Sequence, residues 1–152
     1  MIEQKLAGLG LKLPAAPKPL AAYIPTTIVG NLIFTAGQLP IVDGKLILEG
    51  KLGNDISTEI GAKAAEICAM NCLSVIKSAI KDLDKIRRIV KITVFVNSAE
   101  GYTKQPQVAD GASELLVNIF GVAGKHVRSA VGVNELPNNA PVEIEMIAEI
   151  KN

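Results

Sequence analysis

The chain has 152 residues, 49% of them hydrophobic and 20% charged, with 16 lysines and arginines against 15 aspartates and glutamates. That length allows one domain with a substantial core, and the hydrophobic share excludes an intrinsically disordered chain. A net charge of +1 leaves no long-range field to gather nucleic acid or anionic lipid. No uninterrupted apolar run approaches the roughly 20 residues that span a bilayer. The opening MIEQKLAGLGLKLP has neither the core nor the cleavage site of a signal peptide, so the expected location is the cytoplasm.

In chain order, residues 2–10 predict a short amphipathic helix with Ile2, Leu6 and Leu9 on one side. LPAAPKPLAAYIP, 13–25, is too rich in proline for helix and is expected as an extended arm. NLIFTAGQLPIVDGKLIL predicts a strand that bends or ends between Gly37 and Pro40, then a hairpin turning at Asp43-Gly44. From Ser57, a plausible N-cap, to about Lys81 the pattern is helical, with Ile60, Ala64, Ile67, Leu73, Ile76 and Ile80 as its apolar stripe. Cys68 and Cys72 lie one turn apart within it. The single histidine, His126, is distant, so buried free thiols are expected, not a zinc site or a disulfide.

The basic run KDLDKIRRIVK, 81–91, carries its own aspartates and is expected as a solvated helix end. RIVKITVFV, 88–96, predicts a strand with Val90, Ile92, Val94 and Val96 on one face. A second helix is expected over 106–120. Pro106 suits its first turn, Val108, Ala112, Leu115, Leu116 and Ile119 form its buried side, and Gly121 and Gly124 end it. Strands 127–133 and 142–150 follow, joined by NELPNNAP. Strands, helix, strand, helix, strands is the order of an α+β sandwich with two helices on one face of a mixed sheet, here a single unit over 1–152.

The segment KHVRSAVGV poses a chemical question. Val127, Ser129, Val131 and Val133 share one strand face, and Arg128, Ala130 and Gly132 the other. Such small neighbours leave a hollow beside the guanidinium in which an anion can sit. In the last strand Val142, Ile144, Met146, Ala148 and Ile150 point one way, and Glu143, Glu145, Ile147 and Glu149 the other. If the valine faces of both strands meet the helices, Arg128, Glu143 and Glu145 gather on the helix-free face. That face then has three readings: a solvated surface with cross-strand charge pairs, an oligomer interface, or an interface with a pocket in which Arg128 holds an anion and a glutamate orients water.

GNLIFTAGQLP, IVKITVFVNS and GKHVRSAVGVNELPNNAPVEIEMIAEI, in this order and spacing, resemble the RidA/YjgF family over roughly residues 20–150. These are the reactive-intermediate deaminases, also known by the older label L-PSP endoribonuclease. KLAGLGLKLP and the lengthened QPQVADGASELLVNIFGVAGKHVRSAVGV resemble a longer-chain branch. The resemblance implies a chorismate-mutase-like fold assembled as a homotrimer, with the helix-free faces forming a central barrel and active sites in clefts between subunits. It implies hydrolysis of 2-imino acids, or their enamine tautomers such as 2-aminoacrylate, to 2-oxo acids and ammonia, without metal or organic cofactor.

It also implies roles for individual residues. Arg128 falls on the arginine that pairs with the substrate carboxylate, Glu143 on the residue that positions the attacking water, and Tyr23 on the tyrosine that closes the pocket. The backbone at Ala130 falls on the segment that holds the imine nitrogen, and Gly37 on the strand lining the cleft. Ala36 and Ala130 stand where better-studied members usually have serine and cysteine, and the family's helix asparagine falls near Pro106 and Asp110 without a clear counterpart. Two rival expectations are a non-catalytic trimer that binds small carboxylates or a protein partner, and an endoribonuclease. The second is disfavoured by the absence of Trp and the scarcity of Phe and Tyr, which leave no stacking platform for RNA. His126, without a nucleophile beside it in sequence, is expected to be structural.

Overall fold

The computed structural model describes residues 1–18 and 21–152. A short helix α1 (Ile2–Gly8) buries Leu6, while Leu9 lies beyond its end and is exposed. The Pro-rich arm that follows has no regular helix or strand over 13–18 and 21–25, and Pro19 and Leu20 lie outside the described residues. Strand β1 (Thr26–Val29), which the sequence pattern does not reveal, pairs with β2 (Leu32–Thr35) through a two-residue turn. Gly30 takes φ 61° there, the left-handed geometry that such a turn requires of its first residue. The expected hairpin forms as β3 (Ile41–Val42) and β4 (Lys45–Leu46), with Asp43 and Gly44 both at positive φ.

Helix α2 (Thr58–Ile80) starts at Ser57, whose hydroxyl accepts the Ile60 N–H at 3.2 Å. Of its expected stripe Ala64, Leu73, Ile76 and Ile80 are buried, Ile67 is only half-buried, and Ile60, in the first turn, is half-exposed. Strand β5 (Ile86–Asn97) is followed by α3 (Gln105–Phe120), which buries all five expected positions and ends at Gly121 with φ 63°. Strands β6 (Val127–Val133) and β7 (Val142–Ile150) have the expected bounds.

One sheet of order β1-β2-β7-β5-β6 carries α2 and α3 on a single face, the expected α+β architecture. β5 and β6 run parallel and their neighbours antiparallel, because the α3 crossover returns the chain in the same direction. Among the described residues no helix is long and apolar enough to cross a membrane.

Two expectations about faces are corrected. Register shifts in β5 between Ile86 and Arg88 and between Ile89 and Lys91 break the period of two, so Ile89 enters the core with Ile92, Val94 and Val96, and Val90 does not. In β6 the parallel partners of Arg128, Ala130 and Gly132 are Ile92, Val94 and Val96, all fully buried under the helices. Arg128 therefore lies on the helix side of the sheet. Val127 and Val131 lie on the helix-free side and stay 65% and 43% exposed.

The two cysteines are free and buried in the layer between α2 and β7, with the Cys68 thiol 3.5 Å from the Val142 carbonyl and that of Cys72 3.4 Å from the Ile144 carbonyl. Burial pushes Cys72 up to about 12, and burial with Cys72 as neighbour pushes Cys68 well above the ordinary thiol range. Since the thiolate is the reactive form, the native protein at neutral pH is expected to take up no iodoacetamide, and the urea-unfolded protein two equivalents. Mass spectrometry of both samples checks this, and rapid labelling of the native form would contradict it.

Candidate active site

Glu143 belongs to β7 but faces away from the core, because its neighbours Val142 and Ile144 take the two adjacent buried positions. The facing segment of β2 is irregular. Phe34 pairs with Ile147 and Gln38 bridges Ile144, so residues 34 to 38 span four steps against three on β7, from 147 to 144. The extra residue bulges the chain at Ala36 and Gly37. A Cβ on Gly37 would stand 2.3 Å from Glu143 Oε2, so glycine here serves close approach by the carboxylate as well as the bend.

Around Glu143 a cavity of about 280 Å³ is lined by Tyr23, Lys18 and Pro25 of the arm, by Gly37, Gln38, Leu39 and Ile41, and by Pro137 and Asn138 of the β6–β7 connection. Asn138 and Asn139 hold this connection in shape with φ 56° each. Burial, and then the charge of Glu145 on the same face, raise Glu143 above the ordinary carboxyl value. Tyr23, Gly37 and Glu143 thus line one cavity. Ala36 adjoins the cavity without lining it; its N–H donates to the Pro25 carbonyl at 2.8 Å and its own carbonyl accepts Gln38 Nε2 at 3.2 Å.

Arg128 is not in that cavity. Being on the opposite face of the sheet, it reaches the first turns of α3, where Nη1 donates to Asp110 Oδ1 at 2.8 Å and to Ser113 Oγ at 3.0 Å, and Nη2 donates to the Pro106 carbonyl at 3.2 Å. Pro106 and Asp110, between which the sequence does not choose, both touch the guanidinium. Ala130 lies two residues along the same face and packs on the core. Of the five guanidinium hydrogens these contacts use three. Among the described residues Nε–H and the second Nη2 hydrogen take no partner, which leaves donors for a carboxylate.

The pairing of Arg128 with Glu143 in one pocket, expected from strand parity, therefore does not occur within a single chain. Of the residues that complete the surroundings of Arg128, Ser113 is not singled out by the sequence, Asp110 enters only as one possible place of the family's asparagine, and His126 is expected to be structural. A signal for two of them existed: Asp110 and Ser113 stand three apart on α3, beside its apolar stripe, and so project together. Among the described residues no cluster of three or more His, Cys, Asp or Glu side chains is placed to ligate a metal.

A family profile described as "YjgF/chorismate mutase-like, putative endoribonuclease" matches residues 3–150. Over 152 residues the chain is 40% identical to Protein TCP17 of Trypanosoma cruzi, covering 99% of this chain and 95% of that one. The crystal structure of Atu1372 from Agrobacterium tumefaciens, a protein of unknown function, is 44% identical and superposes with a TM-score of 0.93 over 99% of this chain and 92% of that chain. A protein named 2-iminobutanoate/2-iminopropanoate deaminase from Dermatophagoides farinae is 28% identical over 141 residues, 93% of this chain and 95% of that one.

Proposed function

This chain belongs to the RidA/YjgF family, and on that premise we propose that it hydrolyses reactive 2-imino or 2-enamino acids to 2-oxo acids and ammonia. The catalytic unit is a homotrimer in which the Arg128 edge of one copy closes over the Glu143 cavity of the next. One observation carries this reading. A cation with unused donors and a carboxyl raised by burial occupy opposite faces of one sheet, and each lacks the other. The apolar surface supports assembly. β6 is an edge strand, and Val127 and Val131 stand exposed on the helix-free face that Phe95 shares. An apolar edge of this kind invites a second chain.

In the shared site Arg128 of one copy binds the substrate carboxylate through two parallel hydrogen bonds. The imine carbon is electrophilic, the more so once its nitrogen is protonated, and needs chiefly to be held against a water. Glu143 accepts a proton from that water as its oxygen bonds to the imine carbon. Glu143 returns that proton to the carbinolamine nitrogen, ammonia leaves with the C–N electron pair, and the hydroxyl proton passes to Glu143 as the C–OH becomes the carbonyl of the 2-oxo acid. Tyr23 and Gly37 shape the cavity, and the backbone at Ala130 accepts from the substrate nitrogen. With Ala36 next to the cavity, no hydroxyl at this position selects the substrate side chain.

The test is the disappearance of 2-aminoacrylate generated in solution. Wild type is expected to accelerate it over buffer, and Arg128→Ala to lower kcat/KM about a hundredfold, as removal of one partner of a charge-assisted pair does. No acceleration by the folded oligomer contradicts the hydrolytic reading. Calorimetric binding of 2-oxo acids without any turnover would favour the carboxylate-binding module instead.

A further inference from the structure

The proposed role of Arg128 leaves open what fixes the guanidinium, and the side chains behind it form a chain of hydrogen bonds with a defined direction. His126 Nδ1 lies 2.6 Å from the Gly124 carbonyl, which can only accept. Nδ1 therefore carries the proton, and in the neutral ring Nε2 is the acceptor. Nε2 lies 2.9 Å from Ser113 Oγ and takes its hydroxyl proton. The lone pairs of Ser113 Oγ are thereby turned to Arg128 Nη1, which donates at 3.0 Å. Asp110 takes the other Nη1 hydrogen at 2.8 Å. Both Nη1 hydrogens are spent on α3, and among the described residues the donors left over are Nε–H and one hydrogen of Nη2.

From this, and resting on the reading of Arg128 as the carboxylate-binding group, we infer that Ser113 and His126 are positioning residues for the reaction. They hold the guanidinium plane so that its remaining donors face the substrate carboxylate. Neither touches the reacting atoms. Asp110 alone is a poor anchor, because its carboxylate is half-exposed and free to turn with solvent. The hydroxyl is the part of the mount with a direction imposed on it, and the backbone carbonyl at Gly124 is where that direction starts. The single histidine, isolated in the sequence, has its hydrogen-bond partner 13 residues upstream on α3.

The experiment measures 2-oxobutanoate binding by calorimetry and steady-state turnover of 2-iminobutanoate for wild type, Ser113→Ala, His126→Ala, His126→Gln and Arg128→Ala, with thermal midpoints to establish folding. Ser113→Ala and His126→Ala are expected to weaken binding and raise KM about five- to tenfold, the effect of one ordinary net hydrogen bond, since Asp110 and the Pro106 carbonyl still hold the guanidinium, while kcat changes less than twofold. His126→Gln, whose amide oxygen can accept from Ser113, restores most of the affinity. Unchanged binding in Ser113→Ala and His126→Ala, alongside its loss in Arg128→Ala, overturns the positioning role and leaves the role of Arg128 standing. So does a His126→Gln no better than His126→Ala, or a fall in kcat without a rise in KM. Wild-type binding by Arg128→Ala instead removes the premise.

Discussion

Glu143→Gln is expected to lose at least about a hundredfold in kcat for imine hydrolysis while retaining 2-oxo acid binding, because a general base contributes on that order and glutamine cannot accept the proton. The pH dependence follows from what raises this carboxyl. Burial comes first and the charge of Glu145 second, and both disfavour the ionised form. Only the ionised form is a base, so the rate climbs as pH rises through the elevated value. The acid limb of kcat/KM then lies above the ordinary carboxyl value of about 4.5. Glu145→Gln removes the second cause and is expected to move that limb to lower pH without abolishing turnover. A pH–rate profile of the three proteins decides: an acid limb unmoved by Glu145→Gln, or a Glu143→Gln protein with near-normal kcat, contradicts the assignment.

The largest expected loss of stability comes from the helix layer. A Cβ on Gly111 of α3 would stand 2.0 Å from the Ala62 carbonyl oxygen of α2 and 2.7 Å from its carbonyl carbon. Both are backbone atoms, held by their own helix, so no rotamer change relieves the clash, and the helices must separate over a close-packed core. Gly111→Val is expected to cost about 3 kcal/mol, the upper range for overpacking, a large part of the margin of a domain this size. Asp110 and Ser113 flank Gly111, so tilting α3 also displaces the support of Arg128, and activity falls further than the unfolded fraction explains. Urea unfolding of Gly111→Ala and Gly111→Val measures the cost. A midpoint within error of wild type for both contradicts the tight crossing.

How much of this was legible in the sequence depends on which physical signal each feature leaves. Strands β6 and β7 keep their expected bounds because alternation runs unbroken between Gly124, the NELPNNAP connection and the chain's last residues. Helix α3 keeps its bounds to within one residue, starting at Gln105, because Pro106 and Gly121 punctuate it. β1 left little trace: four residues directly after Pro25, with Ile28 and Val29 exposed, resemble loop more than half-buried strand. Period two tells which residues of a strand share a face but not which face meets the helices. In β6 hydrophobicity alone points the valines to the core side, whereas the smallest residues, Ala130 and Gly132, lie there, close under α3 and its N-terminal approach. The register shifts of β5 are equally silent in the sequence, which is why Val90 exchanged places with Ile89.

The candidate site divides along the same line. Tyr23, Gly37 and Glu143 were identified through family resemblance, and the bulge that joins Gly37 to Glu143 needs the β2–β7 register to be seen. The support of Arg128 comes from residues 15 and 18 positions upstream, brought beside it by the parallel β5–α3–β6 crossover. Resemblance named the arginine; only the fold identifies the residues that hold it.

Since Arg128 and Glu143 face opposite sides of one sheet, an active centre containing both must be built from two copies of the chain. The direct measurement is complementation between Arg128→Ala and Glu143→Gln, each lowered about a hundredfold alone, after joint refolding at equal amounts. The refolded mixture is expected to recover about a quarter of wild-type activity, because random assembly lets roughly one site in four draw an intact arginine from one variant and an intact glutamate from the other, about one of the three sites in every hybrid trimer. Hybrids confirmed by native mass spectrometry that remain as inactive as either parent would contradict a site shared between subunits.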